Sequence, residues 1–413
     1  MSNVLFLVHR LPYPPNKGDK VRSYHLLKHL VGQHRVFLGT FVDDPQDDRY
    51  VDAVSDICSD LHVERIVPRM AKLRSLSGLL QQQALSVRYY QSVGMQEWVT
   101  KTLSSEKIDI VVVFSSVMTQ FLDGNCGVEV PRLVVDFVDV DSYKWTQYAS
   151  QHKWPLSWLY RREGRCLLGY ERAVAARSLR SFFVTENEAT LFKQCAPECA
   201  ASVQSLGNGV DSEYFSPDPA RKSPFSDNSP STREIPLVFT GAMDYWPNVD
   251  AVTWFVHDVL PALLACWPGL TFYIVGRSPA PAVLALESPS VVVTGTVADV
   301  RPYLQHAAVV VAPLRVARGL QNKILEAMSM ARPVVASQAC VNAIDARIDE
   351  ELIAANDGAD FFREIDRLLR TPERTAAVGR AARQRVVDGY SWSAHMQGFD
   401  HYLTAAPVRT NHL

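Results

Sequence analysis

A cationic loop between an apolar strand and a helix is the stretch of this sequence best suited to chemistry. Arg315, Arg318 and Gly319 stand in that loop, within APLRVARGLQNKILEAM. Glycine lets backbone approach a ligand closely, and the first amides of the following helix lack intrahelical acceptors. Guanidinium groups and free helix amides both suit phosphate oxygens. The pattern therefore predicts a phosphate-binding loop.

The helix after this loop carries a carboxylate in its first two turns. Glu326 has Asn322 at i−4 and Lys323 at i−3. A carboxylate there can accept two hydroxyl hydrogen bonds from a ribose, while the neighbouring cations hold a pyrophosphate. These residues predict a nucleotide site. The alternative is a surface Lys323–Glu326 pair accompanied by unrelated arginines.

Two series of short apolar strands alternate with helical stretches, which predicts two doubly wound α/β domains. The strands are predicted at residues 4–8, 36–42, 108–114, 133–138 and 182–185, and then at 237–240, 271–275, 291–294, 308–312 and 333–336. Ligands in such sheets bind at the carboxyl ends of the strands. No G-x-G-x-x-G turn follows the first strand, which argues against a nicotinamide or flavin dehydrogenase. A stretch rich in Ser, Pro and Asp, residues 208–236, predicts an interdomain linker.

Composition excludes several classes of protein. The 413 residues include 42 Lys plus Arg and 44 Asp plus Glu, a balance that argues against nucleic-acid binding. The seven cysteines are odd in number and dispersed, as expected for reduced thiols in the cytoplasm. No apolar run approaches the ~20 residues of a membrane span, and residues 4–8 lack the length and basic leader of a signal peptide. We therefore expect a cytoplasmic protein.

Two segments are basic and aromatic. Residues 65–96 contain five basic residues, no Asp or Glu, and several leucines and tyrosines. Residues 154–165 place Trp154 and Trp158 beside Arg161 and Arg165. Such surfaces suit anionic lipid headgroups, which predicts peripheral contact with the inner face of a bacterial plasma membrane. An ordinary solvated helix face is the alternative.

The spacing of Asp139 and Asp141 is that of a D-x-D metal motif, but the pair ends an apolar strand in the first domain, away from the predicted nucleotide half. We therefore expect no metal site and no cofactor. Asp139 is instead a candidate for orienting a bound sugar, with a strand-end cap or surface acid as the alternative.

Several motifs, in this order and spacing, resemble the family 4 glycosyltransferases (glycosyl transferases group 1). The motifs are PPNKGD after strand one, LGNGVD before the linker, IVG, GTV, and KILEA running on to PVVA. PYPPNKGDK, DVDSYKW, GAMDYWPNVDAV and ARGLQNKILEAM are similar to a narrower group, the sugar transferases associated with exopolysaccharide and exosortase (PEP-CTERM) systems. The resemblance covers nearly the whole chain.

The resemblance implies the GT-B fold, with two facing Rossmann-like domains and a C-terminal helix that crosses back to the first. The predicted parts are an acceptor-side domain (1–207), the linker (208–236), a nucleotide-sugar-binding domain (237–388), and a C-terminal helix and tail (389–413). It also implies a retaining, metal-independent hexosyltransferase that uses a nucleoside diphosphate sugar and a lipid-linked or oligosaccharide acceptor. A nucleotide-sugar epimerase and a non-catalytic nucleotide-sugar-binding scaffold are the alternatives.

Residue chemistry and the resemblance together give the candidate site residues. The predicted catalytic residues are Asp139, Arg318 and Lys323; the donor-binding residues are Gly18, Gly241, Gly276, Arg315, Gly319, Leu320, Asn322 and Glu326; and the acceptor-side residues are His9 and Asp19. Asp19 is alternatively a helix cap.

The chain departs from the family's pattern in two places. Arg318 stands where relatives have a second Glu, and residues 241–248 lack the usual Arg and Lys. We expect Arg318 to supply part of the missing phosphate contact.

Overall fold

The chain forms two compact units, and the second is inserted into the first. The computed structural model describes residues 1–15, 18–79, 81–123, 132–225, 234–316 and 320–404. Unit 1 comprises residues 1–208 together with those from His395 onward, and unit 2 comprises Gly209–Ala394. The chain thus returns to unit 1 for most of its last helix.

Unit 1 is built on a parallel sheet in which seven strands are described. They are β1 (Asn3–Val8), β2 (Arg35–Val42), β3 (Asp60–Arg65), β4 (Ile110–Phe114), β5 (Arg132–Val138), β6 (Arg180–Phe183) and β7 (Val203–Ser205). Their order is β3-β2-β1-β4-β5-β6-β7. The central strands are buried on both faces, as their unbroken apolar runs predict. The order reverses between β1 and β4, which is where such sheets open a crevice for ligands.

Helices cover both faces of this sheet. The described ones are α1 (Gly18–Gln33), α2 (Val51–Ser55), α3 (Pro68–Ser75), α4 (Leu85–Tyr89), α5 (Val93–Ser105), α6 (Asp141–Gln151), α7 (Leu156–Arg177), α8 (Glu186–Cys195) and α17 (Trp392–Thr404), with short 3-10 helices at Pro45–Tyr50, Leu76–Leu79, Ser116–Leu122 and Pro197–Cys199. The last helix packs into unit 1, where Phe399 contacts Phe182 and Asp400 binds His29.

Helices α6 and α7 form a hairpin that projects past the carboxyl edge of the unit 1 sheet. Helix α6 starts just after β5, and Ser142 in its first turn donates to the carboxylate of Glu171 in α7 (2.5 Å). Helix α7 has 22 residues, about 33 Å, and ends just before the amino end of β6. Its second half therefore spans the sheet, and its first half extends beyond it together with α6.

Unit 2 contains a second parallel sheet, with six described strands. They are β8 (Ile235–Thr240), β9 (Leu270–Val275), β10 (Val291–Gly295), β11 (Val309–Ala312), β12 (Val334–Ser337) and β13 (Ile353–Ala355), in the order β10-β9-β8-β11-β12-β13. The helices are α9 (Trp246–Asp258), α10 (Leu260–Cys266), α11 (Pro281–Leu284), α12 (Arg301–His306), α13 (Asn322–Ser329), α14 (Gln338–Val341), α15 (Gly358–Arg370) and α16 (Pro372–Gly389). The crevice point of this sheet lies between β8 and β11.

The first half of the predicted linker is packed rather than extended. Phe215 lies against the apolar core of unit 2, and its carbonyl accepts a hydrogen bond from Ser329 Oγ (2.7 Å). The backbone of Asp218 exchanges hydrogen bonds with the Gln305 side chain. Residues 209–225 are therefore part of unit 2, while 226–233 lie outside the described residues.

Among the described helices, none alone has both the length and the apolar content needed to cross a bilayer. Within the same part of the chain, one bent helix pair, Trp246–Asp258 with Leu260–Cys266, has the necessary length and apolar content when its two helices are taken together.

Candidate functional site

Two glycines close the carboxyl ends of β8 and β9 in unit 2. A Cβ placed on Gly276 would collide with the carbonyl oxygen of Gly241. A Cβ on Gly241 would lie 2.7 Å from Nδ2 of Asn248 and 2.9 Å from Nζ of Lys323. Gly276 thus requires glycine, because the Gly241 backbone fills the space, and a side chain at Gly241 would displace the Asn248 amide and the Lys323 ammonium group. The structure brings the predicted residues Gly241, Gly276 and Lys323 together at the crevice point.

Asn248 fixes the ammonium group of Lys323. Lys323 Nζ donates to Asn248 Oδ1 (2.6 Å) and lies 4.3 Å from the centre of the Phe239 ring. The amide of Asn248 is itself oriented, since its Nδ2 donates to the Ala242 carbonyl (2.8 Å). Lys323 is therefore held between the first turns of α9 and α13. The alternative of a surface Lys323–Glu326 pair is not seen, as no ion pair joins the two side chains in the described part of the chain.

Burial shifts the protonation of both ionisable groups of α13 towards neutrality. It lowers the pKa of Lys323 to about 8, with Cys340 and Glu326 opposing the shift. It raises the pKa of Glu326 to about 7, with Lys323 opposing that shift. Desolvated groups of this kind are typical of sites where a ligand supplies the missing partner.

The remaining donor-side predictions divide into three groups. Arg315 forms a two-pronged ion pair with Asp250 of α9, so its guanidinium already has a carboxylate partner. Leu320 packs half-buried against the core, and Asn322 is exposed at the first residue of α13. Arg318 and Gly319, predicted as catalytic and donor-binding, lie outside the described residues.

The predicted acceptor-side residues lie at the crevice point of unit 1. His9 follows β1 directly and stacks on Phe114, the last residue of β4, with ring centres 5.8 Å apart. Asp19 Oδ2 lies 3.6 Å from His9 Nε2 and accepts from Arg10 Nη1 (3.0 Å). His9, together with Arg10, holds the pKa of Asp19 well below its usual range against the effect of burial.

Gly18 is the first residue of α1, and Asp19 lies inside the first turn of that helix. The interpretation of Asp19 as a helix cap is therefore wrong. Its carboxylate contacts the side chains of His9 and Arg10 instead, and its position near the positive end of the helix is also favourable.

Lys144 occupies the D-x-D motif. Its Nζ donates to Asp139 Oδ2 (2.7 Å) and to Asp141 Oδ1 (3.0 Å). Burial alone would lower the pKa of Lys144, but Asp141 and Asp139 hold that pKa above its usual range. In the residues that the structure describes, no group of three side chains is arranged to hold a metal ion. Asp139 belongs to unit 1, whereas the residues gathered around Lys323 belong to unit 2.

Sequence reasoning missed two buried ion pairs that shape the crevice of unit 1. Arg22 donates to Asp136 Oδ2 (2.7 Å) and to the Gly207 carbonyl (3.1 Å), and Lys20 donates to Asp47 (2.5 Å). The signal was present, because Lys20 and Arg22 interrupt the face of α1 that packs on the sheet. Asn248 was noted only as a departure from the family's pattern, yet it positions Lys323.

The comparisons with known proteins fit this geometry. Residues 234–371 match the family model described as Glycosyl transferases group 1. Unit 2 carries a glycosyl transferases group 1 domain. The matched residues include every described donor-side residue named above except Gly18. The sequence matches none of the curated proteins with which it was compared.

Solved structures resemble the chain over nearly its full length. HepE from Anabaena, in complex with UDP, has 15% identity and a TM-score of 0.61 over 98% of this chain and 100% of its own. Sucrose-phosphate synthase from Thermosynechococcus elongatus has 14% identity and a TM-score of 0.58 over 97% and 98%. WaaG, a glycosyltransferase involved in lipopolysaccharide biosynthesis, has 16% identity and a TM-score of 0.54 over 98% and 100%. At these identities the likeness establishes the fold, and the predicted GT-B architecture is confirmed.

Proposed function

We propose that the chain is a retaining glycosyltransferase of family 4 that transfers a hexosyl group from a nucleoside diphosphate sugar. The observation that carries the proposal is the arrangement at the unit 2 crevice, where an oriented ammonium and a desolvated carboxyl share the first turns of α13. Lys323 suits the diphosphate and Glu326 suits the ribose hydroxyls. A group 1 domain match over the same residues, and the UDP bound by the structurally similar HepE, support this assignment.

The mechanism follows from retention, which the resemblance implies. The acceptor oxygen attacks the anomeric carbon on the face from which the diphosphate leaves, and a leaving phosphate oxygen takes the acceptor proton. Such a step requires no protein base. Lys323 stabilises the charge that develops on the departing diphosphate, and this contact strengthens as the bond breaks. NMR of the product should show the anomeric configuration of the donor; an inverted product would contradict retention.

Incubation with UDP-, GDP- and ADP-sugars tests the proposed activity. Transfer to an acceptor, or slow donor hydrolysis without one, supports a transferase. A changed sugar in the absence of acceptor supports an epimerase, and binding without chemistry supports a scaffold. Lys323→Ala should abolish turnover, whereas Lys222→Ala, an exposed lysine of unit 2, should not.

We expect nucleotide affinity to have a bell-shaped pH dependence. Glu326 accepts hydroxyl donors best as a carboxylate, above its pKa of about 7, and Lys323 carries its charge below its pKa of about 8. Affinity should therefore peak between these values and fall on either side. Titration calorimetry with the most stabilising nucleoside diphosphate measures it. Glu326→Gln should remove the fall in affinity on the acid side, and Lys323→Arg should remove the fall on the alkaline side. If neither variant changes the pH dependence, neither residue binds the nucleotide as proposed.

We propose that transfer needs no metal ion, because Lys323 and the amino end of α13 provide positive charge for the diphosphate. Lys144 holds both carboxylates of the D-x-D motif. Enzyme treated with EDTA and desalted should keep its full turnover. A requirement for added Mg²⁺ or Mn²⁺, abolished by Asp139→Asn, would establish that motif as a metal site.

We propose that the acceptor is lipid-linked or an oligosaccharide, that the pathway is exopolysaccharide biosynthesis of the PEP-CTERM/exosortase type, and that the protein works in the cytoplasm at the inner face of the plasma membrane. The subgroup motifs of the sequence support the pathway. The exposed apolar and basic surface of unit 1 supports the location.

The two basic, aromatic segments adjoin each other in unit 1. Met70 and Leu73 of α3 are each 69% exposed, and Trp154 at the tip of the α6–α7 hairpin is 80% exposed. Two side chains of α7 join the segments. Arg162 donates hydrogen bonds to the carbonyls of Gly78 and Gln83, and Glu163 accepts hydrogen bonds from the amides of Leu85 and Ser86.

We expect unit 1 to bind anionic vesicles through this surface. Exposed apolar side chains enter the headgroup region, while each basic residue adds about 1 kcal/mol near an anionic surface. Cosedimentation with phosphatidylglycerol vesicles should be strong at about 0.1 M salt and weak at about 1 M. Trp154→Ser with Trp158→Ser should weaken it, whereas Trp246→Ser, an exposed tryptophan of unit 2, should not. Equal recovery in the supernatant with and without vesicles would contradict it.

A further inference from the structure

A hollow of 560 Å³ lies at the carboxyl edge of the unit 1 sheet, separate from the His9 crevice residues. Its walls come from α4, the start of α5, the 3-10 helix Ser116–Leu122 and the middle of α7. The size is within the range of small-ligand sites, about 300–1,000 Å³. Five glutamines line it, namely Gln82, Gln83, Gln91, Gln96 and Gln120. So many amides in one hollow favour a ligand rich in hydroxyl groups.

Two of these amides are held in a fixed orientation. Gln120 Nε2 donates to the carbonyls of Val87 (2.9 Å) and Val117 (2.7 Å), which uses both of its N–H bonds. Gln96 Nε2 donates to the Phe121 carbonyl (2.9 Å). The Oε1 atoms accept no hydrogen bond from any residue that the structure describes. They are thus preorganised acceptors for hydroxyl hydrogens.

A buried donor lies in the same wall. Arg88 Nη2 donates to Ser77 Oγ (2.8 Å), but its Nε is buried and has no partner among the described residues. Buried donors are nearly always paired, so this group calls for a partner. Glu97, which also lines the hollow, offsets the charge of Arg88, and Asp123 is paired with Arg177. The lining is therefore close to neutral.

Apolar side chains complete the hollow. Val87 offers carbon surface and Tyr170 an aromatic ring, and the buried Phe121 lies behind them in the lining. A sugar ring has one face of C–H groups and a rim of hydroxyl groups, which matches an apolar wall surrounded by amides. A purely aliphatic ligand would leave the amide oxygens of the lining without hydrogen bonds. A charged ligand would itself lack a partner of opposite charge in this nearly neutral lining.

We propose that this hollow binds a neutral oligosaccharide, the glycan part of the acceptor. The proposal rests on the glycosyltransferase function above and specifies its acceptor. It adds a binding site in unit 1 whose recognition depends on Gln96, Gln120 and Arg88. Its wall includes the 3-10 helix Ser116–Leu122, which follows β4 as His9 follows β1, at the edge where ligands of such sheets bind.

Cys166 provides a direct probe, because it lines the hollow and is partly accessible. Cys266, exposed in unit 2, is an internal reference. Alkylation by iodoacetamide is followed by peptide mass spectrometry with cellotriose, maltotriose or chitotriose present. At about ten times its dissociation constant, a bound trisaccharide should slow labelling of Cys166 about tenfold by mass action and leave Cys266 unchanged. Unchanged labelling of Cys166 with all three sugars overturns the proposal.

Variants separate this site from the donor site. Gln96→Leu should remove the protection, with Gln384→Leu in unit 2 as the matched control. Gln96→Leu also removes a hydrogen bond, so Gln83→Leu with Gln91→Leu provides a second test on two exposed side chains. Both should lower transfer to a glycan acceptor and leave donor hydrolysis unchanged.

The outcomes distinguish the two proposals. If the parent protein binds no nucleotide, the proposed function is overturned, whatever the labelling rate of Cys166. Normal donor hydrolysis with unprotected Cys166, or with transfer unchanged in both sets of variants, would overturn the acceptor site alone. Protection by decanol but by no sugar would assign the hollow to an acyl chain and overturn the saccharide proposal.

Discussion

Glu326→Ala is expected to lower nucleotide affinity at least about tenfold while leaving the fold intact. The carboxylate accepts no hydrogen bond from the described residues, so its removal costs the free protein little. The bound nucleotide, by contrast, loses charged hydrogen bonds worth roughly 1.5–3 kcal/mol each. Burial of an unpartnered carboxyl also opposes folding, and the alanine variant should therefore be as stable as the parent, or more so.

Titration calorimetry and thermal denaturation of the same preparations measure these two effects. Glu287→Ala is the matched control, since Glu287 is an exposed glutamate of unit 2. A folded Glu326→Ala protein that binds the nucleotide as tightly as the parent would remove the ribose assignment.

Asp136→Ala is expected to destabilise unit 1 by about 3–5 kcal/mol, because it leaves the charge of Arg22 buried without its carboxylate. Both side chains are almost completely buried. Arg22→Met combined with Asp136→Leu removes both charges and should recover most of the loss. Asp139→Ala, three residues along the chain, breaks only a partly exposed ion pair and should cost no more than about 1 kcal/mol.

Hydrogen exchange of peptides from β4 and β5 reports on unit 1 without contribution from unit 2. Equal exchange rates in Asp136→Ala and Asp139→Ala would show that the buried pair adds no more than the exposed one.

The central strands of both sheets could be predicted from sequence because they are apolar on both faces. The strands that were missed, β3, β7 and β13, all lie at sheet edges. β3 reads DLHVER and is only half-buried, whereas β7 and β13 have three residues each. An edge strand needs neither two apolar faces nor length, so its sequence carries little periodic signal.

The candidate site was predictable where one short segment contains it and unpredictable where distant segments meet. Lys323 and Glu326 follow from the pattern of α13. The role of Asn248 depends on the packing of α9 beside α13, and the ion pair between Arg315 and Asp250 depends on the same contact. Neither contact leaves a trace in the spacing of residues, because the partners are 75 and 65 positions apart.

The discontinuity of unit 1 constrains how the protein is made. Residues 1–208 emerge from the ribosome first. Helix α17, which covers Phe182 and binds His29 and Arg132, is synthesised only after unit 2. During that interval, an apolar patch of unit 1 is uncovered in the nascent chain. Unit 2 can fold from one uninterrupted stretch, whereas a fragment ending before His395 leaves unit 1 unfinished. Separate production of unit 1 would therefore require its last helix to be joined directly behind residue 208, as in a designed deletion of the insert.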